Sequence, residues 1–438
     1  MNAVILAVMV MLALSFMRVN VVLALFVGAM AGGVSGGLDI NTTMEAFTRG
    51  LSGGTTIALS YAMLGAFAVA ISHSGLPGWV AGEVIRKINS GITGKVALRY
   101  GIFAIVLMMA VFSQNLVPVH IAFIPILIPP LLTAFSALNI DRRQIACLLT
   151  FGLTATYMLL PFGFGEVFLM QVLGGNLIKN GLDIDLNLMP VAMMIPVGGM
   201  FIGLLMAVFF TYRRPRSYRV EENSALQAKD VSMTPKSLIV TLLAIALVLV
   251  VQLTIGSMIM AAAVGFATMV LGGIVCWREA DSTFSQGLKM MATFGFIMIS
   301  AAGFAEVLRE TGEISILVSQ IEAMVGGSQA IAALLMLLVG LLITMGIGSS
   351  FSTLPIIATL YVPLAMQLGF SPLAIAAIVG AAGALGDAGS PASESTIGPS
   401  AGLNADGQHD HIRDTVIPTF VHYNIPMIIF GWIAAMVL

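Results

Sequence analysis

The chain has 438 residues, 58% of them hydrophobic and only 9% charged, a mean hydropathy of +1.02 and a formal net charge of −2. Soluble proteins carry about 25% charged residues, so a single water-soluble core is excluded, and the balanced charge offers no footing for nucleic acid. The alternation of a membrane β-barrel is absent, which leaves a bundle of apolar helices, each about 20 residues long.

The opening "MNAVILAVMVMLALSF" lacks a basic segment ahead of its apolar run and a small-residue cleavage pattern. It predicts a first helix rather than a signal peptide. Three spanning helices are predicted over 2–17, 20–37 and 52–72, followed by an amphipathic piece at 76–88. Two apolar arms, 95–112 and 118–136, then flank a polar tip carrying Ser113, Gln114 and Asn115. A helix broken around Pro161 and Gly163 in "LLPFGFGE" is predicted over 143–174, and a final span over 188–212. The charged stretch 213–236, "RRPRSYRVEENSALQAKDVSMTPK", reads as a linker. Cys147 and Cys276 lack metal-site spacing and are expected to be small buried hydrophobes.

From residue 237 the same order recurs. At an offset of 237, "FTRGL" falls on "FSQGL" and "SQNLVP" on "SFSTLP". After a seven-residue deletion the offset is 230, and Pro161 falls on Pro391 and Pro196 on Pro426. The predicted fold is an all-α polytopic membrane protein of two inverted-topology repeats, 1–212 and 237–438. Each repeat has five spanning helices, one re-entrant hairpin and one broken helix. Five is odd, so the second repeat is upside down relative to the first. Of the 19 Lys and Arg residues, all but Arg49, Lys179 and Arg309 then lie on the linker's side. Basic residues favour the cytoplasm. The linker is therefore expected inside, with both termini periplasmic, in a bacterial-type inner membrane.

Inverted repeats with broken helices mark secondary transporters, whose sites lie at the repeat interface. Irregular backbone at membrane depth survives only beside protein or water. Four breaks are candidates: the two hairpin tips and the two broken helices. The second tip, "GIGSSFSTLP", brings Ser350, Ser352 and Thr353. The second broken helix carries "GDAGSPASESTIGPS", with Asp387, Ser390, Ser393 and Glu394. Free carbonyls, hydroxyls and a carboxylate suit Na⁺, a hard cation that prefers oxygen. Asp387 is expected at the end of a half-helix closing at Leu385, where an acid opposes the helix dipole unless a cation or proton shares the site. Plain structural hydrogen bonding is the alternative. Ser390 is the expected N-cap of the following half-helix, Pro391 its first residue and Glu394 part of its first turn. The tentative Na⁺ ligands are Asp387, Ser390 and Glu394, with Ser393, Ser350 and Ser352 as further ion or proton ligands. Ser113, Gln114, Asn115, Thr353, Pro161 and Gly163 are the candidates for holding a solute.

Glu166 is expected as a dipole partner after Pro161, His120 as a packing residue and Glu306 as an interfacial one beside Arg309. "DGQHDHIRD" (406–414) reads as a solvated loop rather than a metal site. No basic residue lies between Arg99 and Arg142 or between Arg309 and Arg413, so a dicarboxylate is disfavoured against a zwitterion. No nucleotide-binding loop, nucleophile elbow or HExxH motif is present, so no enzyme is expected.

The stretch "GDAGSPASEST" resembles the G-D-x-x-S-P-x-S-[DE]-T-T-like signature of NhaC-type Na⁺/H⁺ antiporters, a group that includes proteins considered amino-acid permeases. That resemblance implies the ion transporter superfamily's inverted repeats, hairpins and broken helices. It also places Asp387, Ser390, Ser393 and Glu394 in the ion site. Ala388, Gly389 and the Glu394-Ser395 pair depart from the signature and leave room for an organic substrate. The expected function is Na⁺-dependent secondary transport, either Na⁺/H⁺ exchange or Na⁺-coupled uptake of a small organic solute such as an amino acid. An ion channel is the alternative of another class. The expected partners are the bilayer, a small cation and an amino acid, with a homodimer as a further candidate, and the coupling ions Na⁺ and H⁺ stand in place of any cofactor.

Overall fold

The computed structural model describes all residues except 1, 18, 77–78, 80–85, 87–93, 116–119, 220–232, 315, 317–326 and 349. Among the described residues every regular element is helical. In order they are α1 (Ala3–Phe16), α2 (Val21–Ser35), α3 (Ile40–Ser72), α4 (Lys95–Asn115), α5 (His120–Ala137), α6 (Arg142–Leu159), α7 (Phe164–Lys179) and α8 (Met189–Met206). The second half continues with α9 (Pro235–Ile255), α10 (Met258–Leu271), α11 (Ala280–Glu310), α12 (Gln329–Ile347), α13 (Ser350–Gln367), α14 (Pro372–Gly389), α15 (Glu394–Leu403) and α16 (His411–Val437). The predicted amphipathic piece at 76–88 lies largely outside the described residues, as do Ser349 and the tip residues 116–119.

The boundaries follow from local chemistry. α3 begins at Ile40 rather than at 52, because the Asp39 carboxylate accepts the free N–H groups of Asn41 and Thr42 and starts the helix early. α1 and α2, expected as spans over 2–17 and 20–37, are only 14 and 15 residues long, and α10 has 14. Among the described residues seven helices are long and apolar enough to cross a bilayer, or eight if α6 and α7 count as one span bent by 56°. The seven include α4 and α12, the first arms of the two predicted hairpins. Arm length therefore does not make the hairpins re-entrant, and two full crossings would leave the charge pattern unchanged. The return itself is seen: Arg99 near the start of α4 donates to Gln144 near the start of α6 at 2.6 Å.

Helix positions carry the internal correspondence. α5 and α13 have 18 residues each, as do α6 and α14, and within each pair the bounds are displaced by 230, the separation between Tyr157 and Asp387.

α14 and α15 form the buried axis of the molecule: 94% of the most apolar window within Pro372–Leu403 is buried. Small residues permit this. A Cβ at Gly386 would fall on the backbone carbonyl of Thr344 in α12, so the two helices cross at backbone contact there. Gly386→Ala is expected to destabilise the protein by about 3 kcal/mol, the upper range for forcing backbone apart in a packed core. Thermal unfolding of the purified variant in detergent measures it, and an unchanged midpoint would refute the contact.

Two expectations are corrected, those for Cys276 and for the 406–414 loop. Cys147 is buried but Cys276 is exposed, because it precedes the short turn Trp277–Glu279 rather than packing in a helix. The first linker residues are anchored: Arg216 donates to Asp414 at 2.7 Å, and Tyr218 Oη accepts the N–H of Arg142. The 406–414 loop is a packed polar network, with His409 only 2% exposed. Its imidazole Nε2 pairs with the Thr415 hydroxyl at 2.7 Å, and burial holds the ring well below the ordinary imidazole range.

Candidate functional site

The interruption between α14 and α15 begins four residues later than expected. α14 runs to Gly389, so Asp387 lies in its last turn rather than beyond its end. Ser390 is the C-cap of α14, not the N-cap of α15. That cap is Ser393, whose Oγ accepts the N–H of Ser395. Pro391 sits within the break, because the Ser390 hydroxyl accepts the Ala392 N–H and turns the chain before α15 can start. Glu394 does occupy the first turn of α15, where its charge suits the helix N-terminus.

Three broken elements meet at Asp387. Its Oδ2 accepts from the Tyr157 hydroxyl at 2.5 Å and from the Ser350 hydroxyl at 2.7 Å, and its Oδ1 accepts from the Ser350 N–H at 3.2 Å. Tyr157 comes from the last turn of α6 and Ser350 from the first residue of α13. The N-terminus of α13 therefore supplies the positive dipole that the C-terminus of α14 denies the acid. An acid at this helix end therefore needs no cation to be tolerated, because the protein itself provides three donors. Asp387 remains half-buried rather than sealed, and Glu394 is near enough to act on its charge.

The surrounding hydroxyls are spent on backbone. Ser393 Oγ donates to the Asp387 carbonyl at 2.6 Å, Ser390 Oγ to the Met345 carbonyl at 3.1 Å, and Thr396 Oγ1 to the Ser390 and Ser393 carbonyls. These bonds hold the break in one shape, as broken helices in an apolar setting require. The structure thus brings Asp387, Ser350, Ser390 and Ser393 together, with Glu394 close by. The side chains of Ser352 and Asn115 lie outside the described residues, and Thr353 is fully buried. Ser113 is buried and bonded to the Ala110 carbonyl, while Gln114 is buried with its Oε1 unpartnered. Pro161 and Gly163 stand exposed in the bend between α6 and α7, Gly163 with φ +61°.

Sequence reasoning missed two contributors. Tyr157 carries no local signal, and only the 230 offset pairs its position with Asp387. Asn424 is fully buried, its amide unpartnered, and abuts Gly389 at the end of α14. It lies in a π-helical stretch, Phe420–Asn424, a feature found often at functional sites.

A helical membrane protein whose interior is organised around interrupted helices and a carboxylate held between them has the architecture of a transporter. The chain belongs to the Na⁺/H⁺ antiporter family, whose models match residues 148–432 and 2–88. It is 54% identical over its whole length to the membrane protein VP2115 of Vibrio parahaemolyticus, which it covers completely. It is 53% identical to YuiF of Bacillus subtilis, again covering all of both chains; YuiF is provisionally named an amino acid transporter. A Haemophilus influenzae membrane protein is 51% identical over 99% of its length and all of this chain. Among solved structures, the Alcanivorax borkumensis YdaH transporter matches 90% of this chain and 88% of its own at 16% identity and a TM-score of 0.43. Neisseria gonorrhoeae MtrF, an antimetabolite efflux pump, matches 90% and 84% at 13% identity and a TM-score of 0.43.

Proposed function

We propose that this protein is a Na⁺-coupled secondary active transporter in which Asp387 is the carboxylate that exchanges between Na⁺, protons and its hydroxyl partners. The observation that carries this is the meeting of Tyr157, Ser350 and Asp387, one residue from each of three interrupted elements. A carboxylate shared among movable helices changes its partners whenever they move, and this is what couples ion occupancy to conformation. Ser390, Ser393 and Glu394 shape the ion site, and Ser350 delivers the hairpin's dipole to it.

The matched helix bounds at an offset of 230, together with the contact between equivalent positions Tyr157 and Asp387, support two inverted repeats whose axis passes through this site. The polar cluster joining Arg99, Arg142, Arg143 and the start of the linker supports a cytoplasmic linker. Both termini are then periplasmic. A second substrate, an amino acid carried with Na⁺, is favoured by the kinship with YuiF, and the unpartnered Gln114 amide oxygen is a suitable acceptor for an ammonium group.

The test uses purified protein in liposomes under an imposed Na⁺ gradient, with internal pH and uptake of a labelled amino-acid panel read together. Neither signal responding to Na⁺ would reject the proposal. In the same assay Tyr157→Phe is expected to lower the Na⁺ half-saturation concentration. It removes a donor that competes with the cation for Asp387, and a hydrogen bond to a charged group is worth about 1.5–3 kcal/mol, or roughly ten- to a hundred-fold. The ring itself remains packed against Phe164 and Phe168. An unchanged half-saturation would remove Tyr157 from the site.

A further inference from the structure

We propose that His411 is a second proton-binding site, bonded to the α14–α15 break that follows Asp387; the inference rests on the cation-coupled reading above. His411 Nε2 lies 2.9 Å from the Pro391 carbonyl, and Nδ1 lies 2.7 Å from the Ser400 hydroxyl. A carbonyl only accepts, so Nε2 carries hydrogen in every state. The Ser400 hydroxyl has one hydrogen and two acceptors within reach, Nδ1 of His411 and the Thr396 carbonyl at 2.8 Å. Two complete arrangements follow. In the neutral ring the hydroxyl donates to Nδ1. When a proton from water binds Nδ1, that nitrogen donates to Ser400 Oγ, and the hydroxyl turns to the Thr396 carbonyl. Each arrangement satisfies every donor without moving a heavy atom, so the site takes and releases a proton at little structural cost.

The surroundings suit the exchange. Ser400 lies in the last turn of α15, whose negative dipole end favours a cation. The titratable groups on the packed elements are Arg142, Arg143, Cys147 and Tyr157 on α6, and Glu394 on α15. Its own segment adds His409, Asp410, Arg413 and Asp414. Arg142 is committed to Asp406, Arg143 to Asp141, and Asp414 to Arg216. Arg413 is exposed and Glu394 acts on Asp387; burial opposes a charge on the ring, and the Pro391 carbonyl and the Asp410 carboxylate favour one. His411 is half-buried and borders the Asn404–Asp410 loop, in which Asn404, Gly407 and Asp410 are exposed. Imidazole is the side chain that exchanges protons near neutral pH. Its carbonyl partner, Pro391, is four residues from Asp387 in the same break. A proton at His411 strengthens the Nε2–H bond to that carbonyl and fixes the break, while a cation at Asp387 acts on the same backbone. The two occupancies are thereby linked.

The experiment is ¹⁵N NMR of the full-length protein in nanodiscs with labelled histidine; the chain has five, and His411→Gln assigns the signal. Between about pH 5 and pH 9, Nδ1 of His411 is expected to pass from protonated to unprotonated while Nε2 stays protonated. Added Na⁺ is expected to shift that midpoint in the wild type but not in Asp387→Asn. Ser400→Ala is expected to lower the midpoint, because the cationic ring loses more than the neutral one when its partner is removed. A ring that keeps one neutral tautomer over the whole range, or a midpoint untouched by both Na⁺ and Ser400→Ala, would overturn the inference. Titration that responds to Na⁺ in a protein showing no Na⁺-driven transport would instead overturn the transport reading and leave this site standing.

Discussion

Asp387→Asn is expected to abolish Na⁺-dependent transport while the protein still folds. The amide occupies the same space in the last turn of α14, so packing against α6 and α13 is retained. One carboxylate oxygen becomes an NH₂ group, and it must face either the Ser350 N–H or the Tyr157 and Ser350 hydroxyls. That mismatch costs about 1–3 kcal/mol of stability as an unsatisfied polar contact. The functional loss is larger, because a neutral side chain offers no charge to a cation and no basic site to a proton. Removing the charged partner of an enclosed ion costs about 3–5 kcal/mol, equivalent to roughly a hundred-fold to several-thousand-fold in affinity. The measurement is Na⁺-driven flux in proteoliposomes, with the detergent unfolding midpoint as control for folding. Wild-type Na⁺ dependence in a folded variant would sink the assignment of Asp387.

Asp406→Ala is expected to produce the largest loss of stability at the other end of α15. Arg142 is fully buried; its Nη1 and Nη2 donate to the two oxygens of Asp406 at 2.6 and 2.5 Å, and Nη1 also donates to the Leu403 carbonyl. The Tyr218 ring covers the guanidinium at 4.2 Å. Burial disfavours the Asp406 charge, but the Arg142 bonds outweigh it and hold the carboxyl below the usual carboxylate range. Removing Asp406 strands a buried cation and should cost about 3–5 kcal/mol. Replacing both partners by apolar residues, as in Arg142→Met with Asp406→Leu, should recover most of that loss, since the pair's own net worth is small once desolvation is counted. Thermal unfolding of the two variants decides it. A cost below about 1 kcal/mol for Asp406→Ala would mean that water already screens the pair.

The sequence alone determined the class of the protein and the order of its elements. Its 9% charge and long apolar runs leave only a helical membrane bundle, because hydrocarbon forbids unpaired backbone. Pro161 and the stretch from Asp387 to Glu394 marked the two interrupted helices, since proline and a hydroxyl cluster cannot continue an apolar helix unaided. Asp387 and Ser350 were legible as site candidates for the same reason: polar residues in such surroundings are costly without partners.

Only the tertiary structure decided who those partners are. Local preference placed the N-cap at Ser390, but contacts with α12 and the turn at Ala392 moved it to Ser393. Composition made 406–414 a solvated loop, yet Arg142 and Arg216, remote in sequence, tie its carboxylates Asp406 and Asp414 into a network. Tyr157 reads as an ordinary aromatic on an apolar helix until α6 and α14 cross at their broken ends. The hydroxyl that meets Asp387 there comes from 230 residues away, and no local pattern records that distance. Spacing along a chain encodes the period of a helix, whereas the depth and angle at which helices cross are fixed by small residues such as Gly386, through contacts that exist only once the bundle has formed.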